Sequence, residues 1–321
     1  MRSALCLLAS SILLTPAYPQ DEPTIKVDVD IVNVLYSVRE KKGGLVANLG
    51  KDDFQIFEDG KEQTIKYFTK ETDLPLTIGL LIDISGSQQN LIGVEQQAAS
   101  QFFGQVLRPK DLAFLISFGP DADLLQDYTN SPKLLRKALE GLKVDTSFGG
   151  GGLNPGPVPT IYQPRGTILY DAVYLASDQQ LRGQVGRKAL ILITDGEDQG
   201  SRYKLEQALE ASQKADAITY GIYYVDRQFY GQGGFSFGVS DGPLRKLSEE
   251  TGGRLIRVDK KHPLNEVFDE IQNEMRSQYS IGYTPVNPKK DGTFRRLEIR
   301  AKNHDYKVQA RKGYFAVKQE Q

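Results

Sequence analysis

The chain has 321 residues, with 40 Lys plus Arg against 41 Asp plus Glu, a net charge of −1, 39% apolar residues and 25% charged ones. This is ordinary globular composition, and it excludes disordered, multi-span membrane and collagen-like architectures. The near-zero charge carries no global electrostatic footprint for nucleic acid.

Arg2, an apolar run from Ala4 to Leu14 and the stretch Thr15-Pro-Ala-Tyr-Pro-Gln20 predict a secretory signal peptide over residues 1–20. The run is shorter than the roughly 20 apolar residues of a spanning helix, so no transmembrane segment is expected in the mature chain. The single cysteine, Cys6, falls inside this leader. The mature chain is then exported, periplasmic or secreted, with no disulfide framework, thiolate nucleophile or cysteine ligand.

Residues 21–74 read as a β-rich unit. Apolar residues alternate from Thr24 to Val38, on odd positions up to Ile31 and on even ones from Val32, a phase slip that implies a bend of the kind that carries a strand between sheets. Phe54–Glu58 and Glu62–Phe68 flank Asp59-Gly60, a strong hairpin signal.

Residues 75–277 change texture. Leu76–Ile82, Leu112–Phe118, Ala189–Ile193 and Ile218–Val225 are nearly continuous apolar runs, as expected of parallel strands covered on both faces. Helical stripes lie between and after them: Leu91, Val94, Ala98, Phe102 and Val106; Leu135, Ala138, Leu139 and Leu142; Leu169, Ala172, Val173 and Ala176; Leu205, Ala208 and Leu209; Leu264, Val267, Phe268, Ile271 and Met275. The pattern predicts an α/β fold with a doubly wound, mostly parallel sheet. Residues 278–321 return to period two, in Tyr279-Ile281-Tyr283, Leu297-Ile299-Ala301 and Tyr306-Val308-Ala310. Each β-rich end has too few strands for a closed core, so the two are expected to pair as one split β-sandwich that holds the α/β unit outward.

Ligands of open α/β sheets bind beyond the carboxyl ends of the strands. There the sequence places Asp83-Ile-Ser85-Gly-Ser87, then Gly166-Thr167 at the head of a helix, then Thr194-Asp195-Gly196-Glu197-Asp198. Singly, Ser85, Ser87 and Thr167 read as helix caps and Asp195 as a turn residue. Together they form an oxygen-only set of carboxylates and hydroxyls, suited to a hard divalent cation and above all to Mg²⁺. Asp171, Glu197 and Asp198 read as solvated charges or as partners of the ligands.

These residues resemble the metal-ion-dependent adhesion site of the von Willebrand factor type A (VWA) domain. The motif Asp-x-Ser-x-Ser, a Thr before a central helix and an Asp after a later strand are matched by Asp83, Ser85, Ser87, Thr167 and Asp195, and the resemblance covers residues 75–277. The flanks Asp53-Phe54, Glu58-Asp-Gly-Lys61, Tyr279–Tyr283 and Lys312-Gly-Tyr314 are similar to exported VWA-related proteins known mainly from acidobacteria. The resemblance implies a bound Mg²⁺ (or Mn²⁺ or Ca²⁺) that accepts an Asp or Glu carboxylate from a protein partner, hence a non-enzymatic adhesion or interaction module. An envelope scaffold with a structural metal is the alternative, and a Mg²⁺-dependent hydrolase a weaker one. Phosphoryl transfer of the haloacid-dehalogenase type expects a second Asp where this chain has Ser85, and the histidines His262 and His304 are poorly placed as bases. Two loops, Asp145 to Arg165 and Asp226 to Ser240 with Phe235 and Phe237, are candidates for partner specificity.

Overall fold

The computed structural model describes residues 31–71, 74–144, 166–226 and 240–317. The expected leader with Cys6, the strand segment before Ile31, and the loop residues 145–165 and 227–239 with Phe235 and Phe237 lie outside the described residues.

In chain order, β1 (Val32–Glu40), β2 (Phe54–Glu58), β3 (Lys61–Gln63) and β4 (Ile65–Glu71) come first. Then follow β5 (Leu76–Asp83), α1 (Ile92–Val106), β6 (Leu112–Phe118), β7 (Ala122–Thr129), α2 (Pro132–Glu140), α3 (Leu169–Leu175), β8 (Arg187–Thr194), α4 (Leu205–Lys214), β9 (Ala217–Tyr223), α5 (Gly242–Thr251), β10 (Leu255–Arg257) and α6 (Leu264–Arg276). The last strands are β11 (Gln278–Tyr283), β12 (Phe294–Ala301), β13 (Tyr306–Ala310) and β14 (Gly313–Phe315).

The middle of the chain forms a six-stranded sheet in the order β10-β9-β8-β5-β6-β7, parallel except for β7. All eight residues of β5 are buried, which is why its sequence is a continuous apolar run. On one face Ile78, Leu80 and Ile82 pack with Phe102 of α1 and with Val267, Phe268 and Ile271 of α6; on the other, Leu81, Leu190 and Leu192 pack with Ala172 and Val173 of α3 and Leu244 and Leu247 of α5. Each such aliphatic side chain contributes roughly 1.5–3 kcal/mol on burial.

Three elements of this unit were not anticipated from sequence. β7 is an antiparallel edge strand with exposed Leu124 and Leu125 and two register irregularities, so it shows no period-two pattern. α5 and the short β10 follow the undescribed loop; the signals of α5, Pro243 in its first turn and Gly252 at its end, are punctuation rather than periodicity. The predicted face of α1 also needs correction. Val94 is 48% exposed, and the buried stripe is Glu95, Ala98, Ala99, Phe102, Phe103 and Val106.

The chain ends build two four-stranded sheets, β13-β1-β11-β4 and β14-β12-β2-β3, each mixing strands from both ends. β1 pairs antiparallel with β11 and β13, and β12 pairs antiparallel with β2. Val34, Tyr36 and Val38 of β1 meet Ile56, Leu297 and Ile299 of the other sheet in one core, with Tyr36, Phe54, Phe68 and Tyr279 in ring contact. The β2–β3 turn takes positive φ at Asp59 (47°) and Gly60 (79°), the left-handed pair that a two-residue hairpin requires. The predicted strand Glu62–Phe68 is divided at Thr64, since Gln63 pairs with Ile56 in one sheet and Ile65 with Tyr283 in the other. Alternation runs unbroken through this crossing, with Gln63 and Ile65 both buried, so no phase slip marks it.

Both links between sandwich and central sheet meet at the amino-terminal end of β8. The buried Arg187 guanidinium donates to Leu74 O and Met275 O, the residues just before β5 and at the end of α6. Parallel β5 and β8 then carry their carboxyl ends away from the sandwich.

Candidate metal centre

The first strand of the sheet, β5, has β6 on one side and β8 on the other, so successive crossovers diverge from the gap between β5 and β8. Such a switch point leaves a crevice beyond the strand ends. The register Ile82↔Ile193 sets Asp83 opposite Thr194 at its mouth.

Four of the expected residues form one hydrogen-bonded chain. Asp83 is fully buried; its Oδ1 accepts from Ser85 N (2.9 Å) and its Oδ2 from Thr194 Oγ1 (2.6 Å). Ser85 Oγ lies 3.0 Å from Ser87 Oγ, and Ser87 Oγ donates to Asp195 Oδ2 at 2.6 Å. Asp195 Oδ1 accepts from Glu197 N (3.2 Å). Gly196 takes φ +85° between these residues, a turn conformation that a side chain rarely adopts, and its N–H donates to Thr194 Oγ1 (3.0 Å).

Thr167 stands at the same edge, tied through the backbone. Its carbonyl accepts from Gln199 N (2.8 Å), and Ile168 N donates to Gly119 O (2.9 Å) in the loop after β6. Among the described residues no hydrogen bond joins its hydroxyl to the other four. Asp171 is buried, not solvated, and accepts from Arg202 N and Tyr203 N (2.8 and 2.9 Å); Asp198 accepts from Ser201 Oγ (2.5 Å). These two carboxylates organise the loop after β8. Glu197 is half-buried, and burial, with the charge of Asp195, raises its pKa.

Sequence reading placed Thr194 in the strand-end set without the role it takes, in which its hydroxyl orients Asp83, and passed over Glu95, buried in the first turn of α1. Counting back from Phe102 and Phe103 through Ala98 and Ala99 in steps of three and four reaches Glu95, a signal present in the sequence.

Burial, then the negative charge of Asp195, push the Asp83 carboxyl up to about 7, against the hydrogen bonds from Ser85 and Thr194. No basic group is among the influences on Asp83. Two carboxylates and three hydroxyls at one strand edge, with Asp83 fully buried and under no basic influence, are a donor set that fits a hard cation. Neither histidine joins it: His262 Nε2 lies 2.7 Å from Glu270 on α6, and His304 is in the turn before β13. Beside the edge, a cleft of about 1030 Å³ opens between the start of α1 and the start of α6, lined by Leu91, Val94, Tyr224, Val258 and Leu264 among others.

No protein-family model matches the chain, and no curated protein sequence matches it. Among solved structures it is similar to BatB from Bacteroides thetaiotaomicron, at 17% identity over 62% of this chain and 97% of that one, with a TM-score of 0.45. It is also similar to proximal thread matrix protein 1 from the mussel byssus with a zinc-occupied MIDAS motif (13%, 68% and 50%, TM-score 0.49) and to the SpRpn10 VWA domain (12%, 61% and 94%, TM-score 0.40). Likeness at these values carries no site by itself, and the reading of the metal centre rests on the residues and distances above.

Proposed function

We propose that the protein is an exported, divalent-cation-dependent interaction module, with Asp83, Ser85, Ser87, Thr167 and Asp195 as the residues that hold Mg²⁺ or a similar ion. The observation that carries this reading is the Asp83–Ser85–Ser87–Asp195 chain at the switch point between β5 and β8. Bound there, the ion supplies a coordination position for an Asp or Glu carboxylate of a partner protein.

The chain's own residues prepare that position. Thr194 aims Asp83, Ser87 aims Asp195, and the backbone bonds of Thr167 fix the third segment beside them. Three neutral hydroxyls against two carboxylates leave a divalent ion without surplus negative charge, which favours an acidic partner. For the enzyme alternative, neither histidine lies at the serines, whose hydroxyls are bonded to each other and to Asp195.

Thermal unfolding with Mg²⁺ or Mn²⁺ against chelator tests the ion. Stabilisation should grow with free metal, by about 2.7 kcal/mol at one hundred times Kd, and vanish in Asp83→Ala. A metal response unchanged in that variant rejects the site. Affinity capture from envelope or secreted fractions, in Mg²⁺ against chelator and with Asp83→Ala as control, then tests the partner.

A further inference from the structure

Glu95 lies in the first turn of α1, is fully buried, and has no hydrogen-bond partner on either carboxylate oxygen. Gln88, in the short turn between Ser87 and α1, is equally buried: its amide nitrogen reaches Tyr224 O (3.4 Å), while its Oε1 has no partner. Three buried oxygens thus stand unsatisfied behind the five-residue set.

The charged groups acting on Glu95 are Asp83, at the end of β5, and Asp195, after β8; Tyr224, after β9, feels Glu95 in turn. Both acidic influences are repulsive and none of these groups is basic. A buried carboxylate with neither a hydrogen bond nor a counter-charge is among the costliest groups a core can hold, and burial with these charges pushes its pKa well up. Packing does not account for the choice, since every other buried position on this face of α1 is Ala, Phe or Val.

Among the described residues no three carboxylates come close enough together to share one ion, so Glu95 is not a third ligand beside Asp83 and Asp195. Its influence passes through the interior, where charge is weakly screened. We propose that Glu95 is an affinity-setting residue of the cation site: its buried carboxylate acts through space on the ion held by Asp83 and Asp195, and sets how tightly that ion is bound. The inference rests on the cation reading above.

The test titrates Mn²⁺ alone into the full-length protein and into Glu95→Gln and Glu95→Met by calorimetry, and melts all three in chelator. The two readouts should move in opposite senses. Without metal both variants unfold at the wild-type temperature or higher, because an uncompensated buried acid has gone. Mn²⁺ binding weakens about tenfold or more in both. A residue that only packs would lower stability and leave the ion alone. Affinity within about twofold of wild type in both variants, or lower stability in chelator in both, overturns the role of Glu95 and leaves the five-residue site standing. Wild-type protein that binds no Mn²⁺ overturns both.

Discussion

At the scale of single residues, Asp83 and Asp195 share one hydrogen-bonded chain and are both buried, and enclosure makes the proton of Asp83 hard to remove. The folded chain therefore keeps a proton on Asp83 up to about pH 7, whereas the unfolded chain loses it near the ordinary value of 3.8. Between these values the folded state binds more protons, so this group's contribution to stability is complete below about pH 4 and is lost as pH rises to about 7. Urea unfolding in chelator should show that loss in the wild type and a flatter profile in Asp83→Asn, whose amide does not titrate. Identical profiles would remove Asp83 as the titrating group. In saturating Mn²⁺ the wild-type slope should reverse, because metal and proton compete for the same oxygens.

Among the elements, α6 is tied to both parts of the molecule. Its Glu274 is fully buried and accepts from Ser37 Oγ (3.2 Å) and Arg39 (2.7 Å) on β1, from Gln309 Nε2 (3.1 Å) on β13, and from Arg254 Nε (2.8 Å) before β10. This contact explains why Ser37, on the face of β1 opposite Val34, Tyr36 and Val38, is also buried. Glu274→Gln keeps the shape, removes the charge that offsets Arg39 and Arg254, and turns donors toward donors. The expected cost is about 3–5 kcal/mol, read as a lower urea midpoint. Metal affinity should be unchanged, since Arg187 and both chain links place this contact at the end of the sheet away from Asp83. A loss below about 1 kcal/mol would show that the contact is solvated and of little weight.

For the molecule as a whole, the sandwich is a structure that neither end of the chain can make alone. β11 lies between β1 and β4, and β12 between β14 and β2, so removal of residues 278–321 takes a central strand from each sheet. Such a truncation should uncover Val34, Tyr36 and Ile56 and make residues 31–71 sensitive to protease and fast in amide exchange. The central sheet, with its own two apolar layers, should persist and keep its response to Mn²⁺. Retained protection of residues 31–71 after the truncation would mean that the amino-terminal strands fold independently.

The sequence by itself determined the local features. Apolar runs marked β5, β6, β8 and β9, stripes marked α2, α3, α4 and α6, and Asp59-Gly60 marked its hairpin, because each signal repeats within a strand, a helix turn or four residues. Asp83, Ser85, Ser87 and Asp195 were legible because strand ends converge wherever a doubly wound sheet forms. Tertiary structure alone decided the rest. It divided the segment around Thr64 between two sheets and gave Thr194 its hold on Asp83. Which strand a segment joins, and which hydroxyl a carboxylate meets, depend on residues far away in the chain. No local period records them.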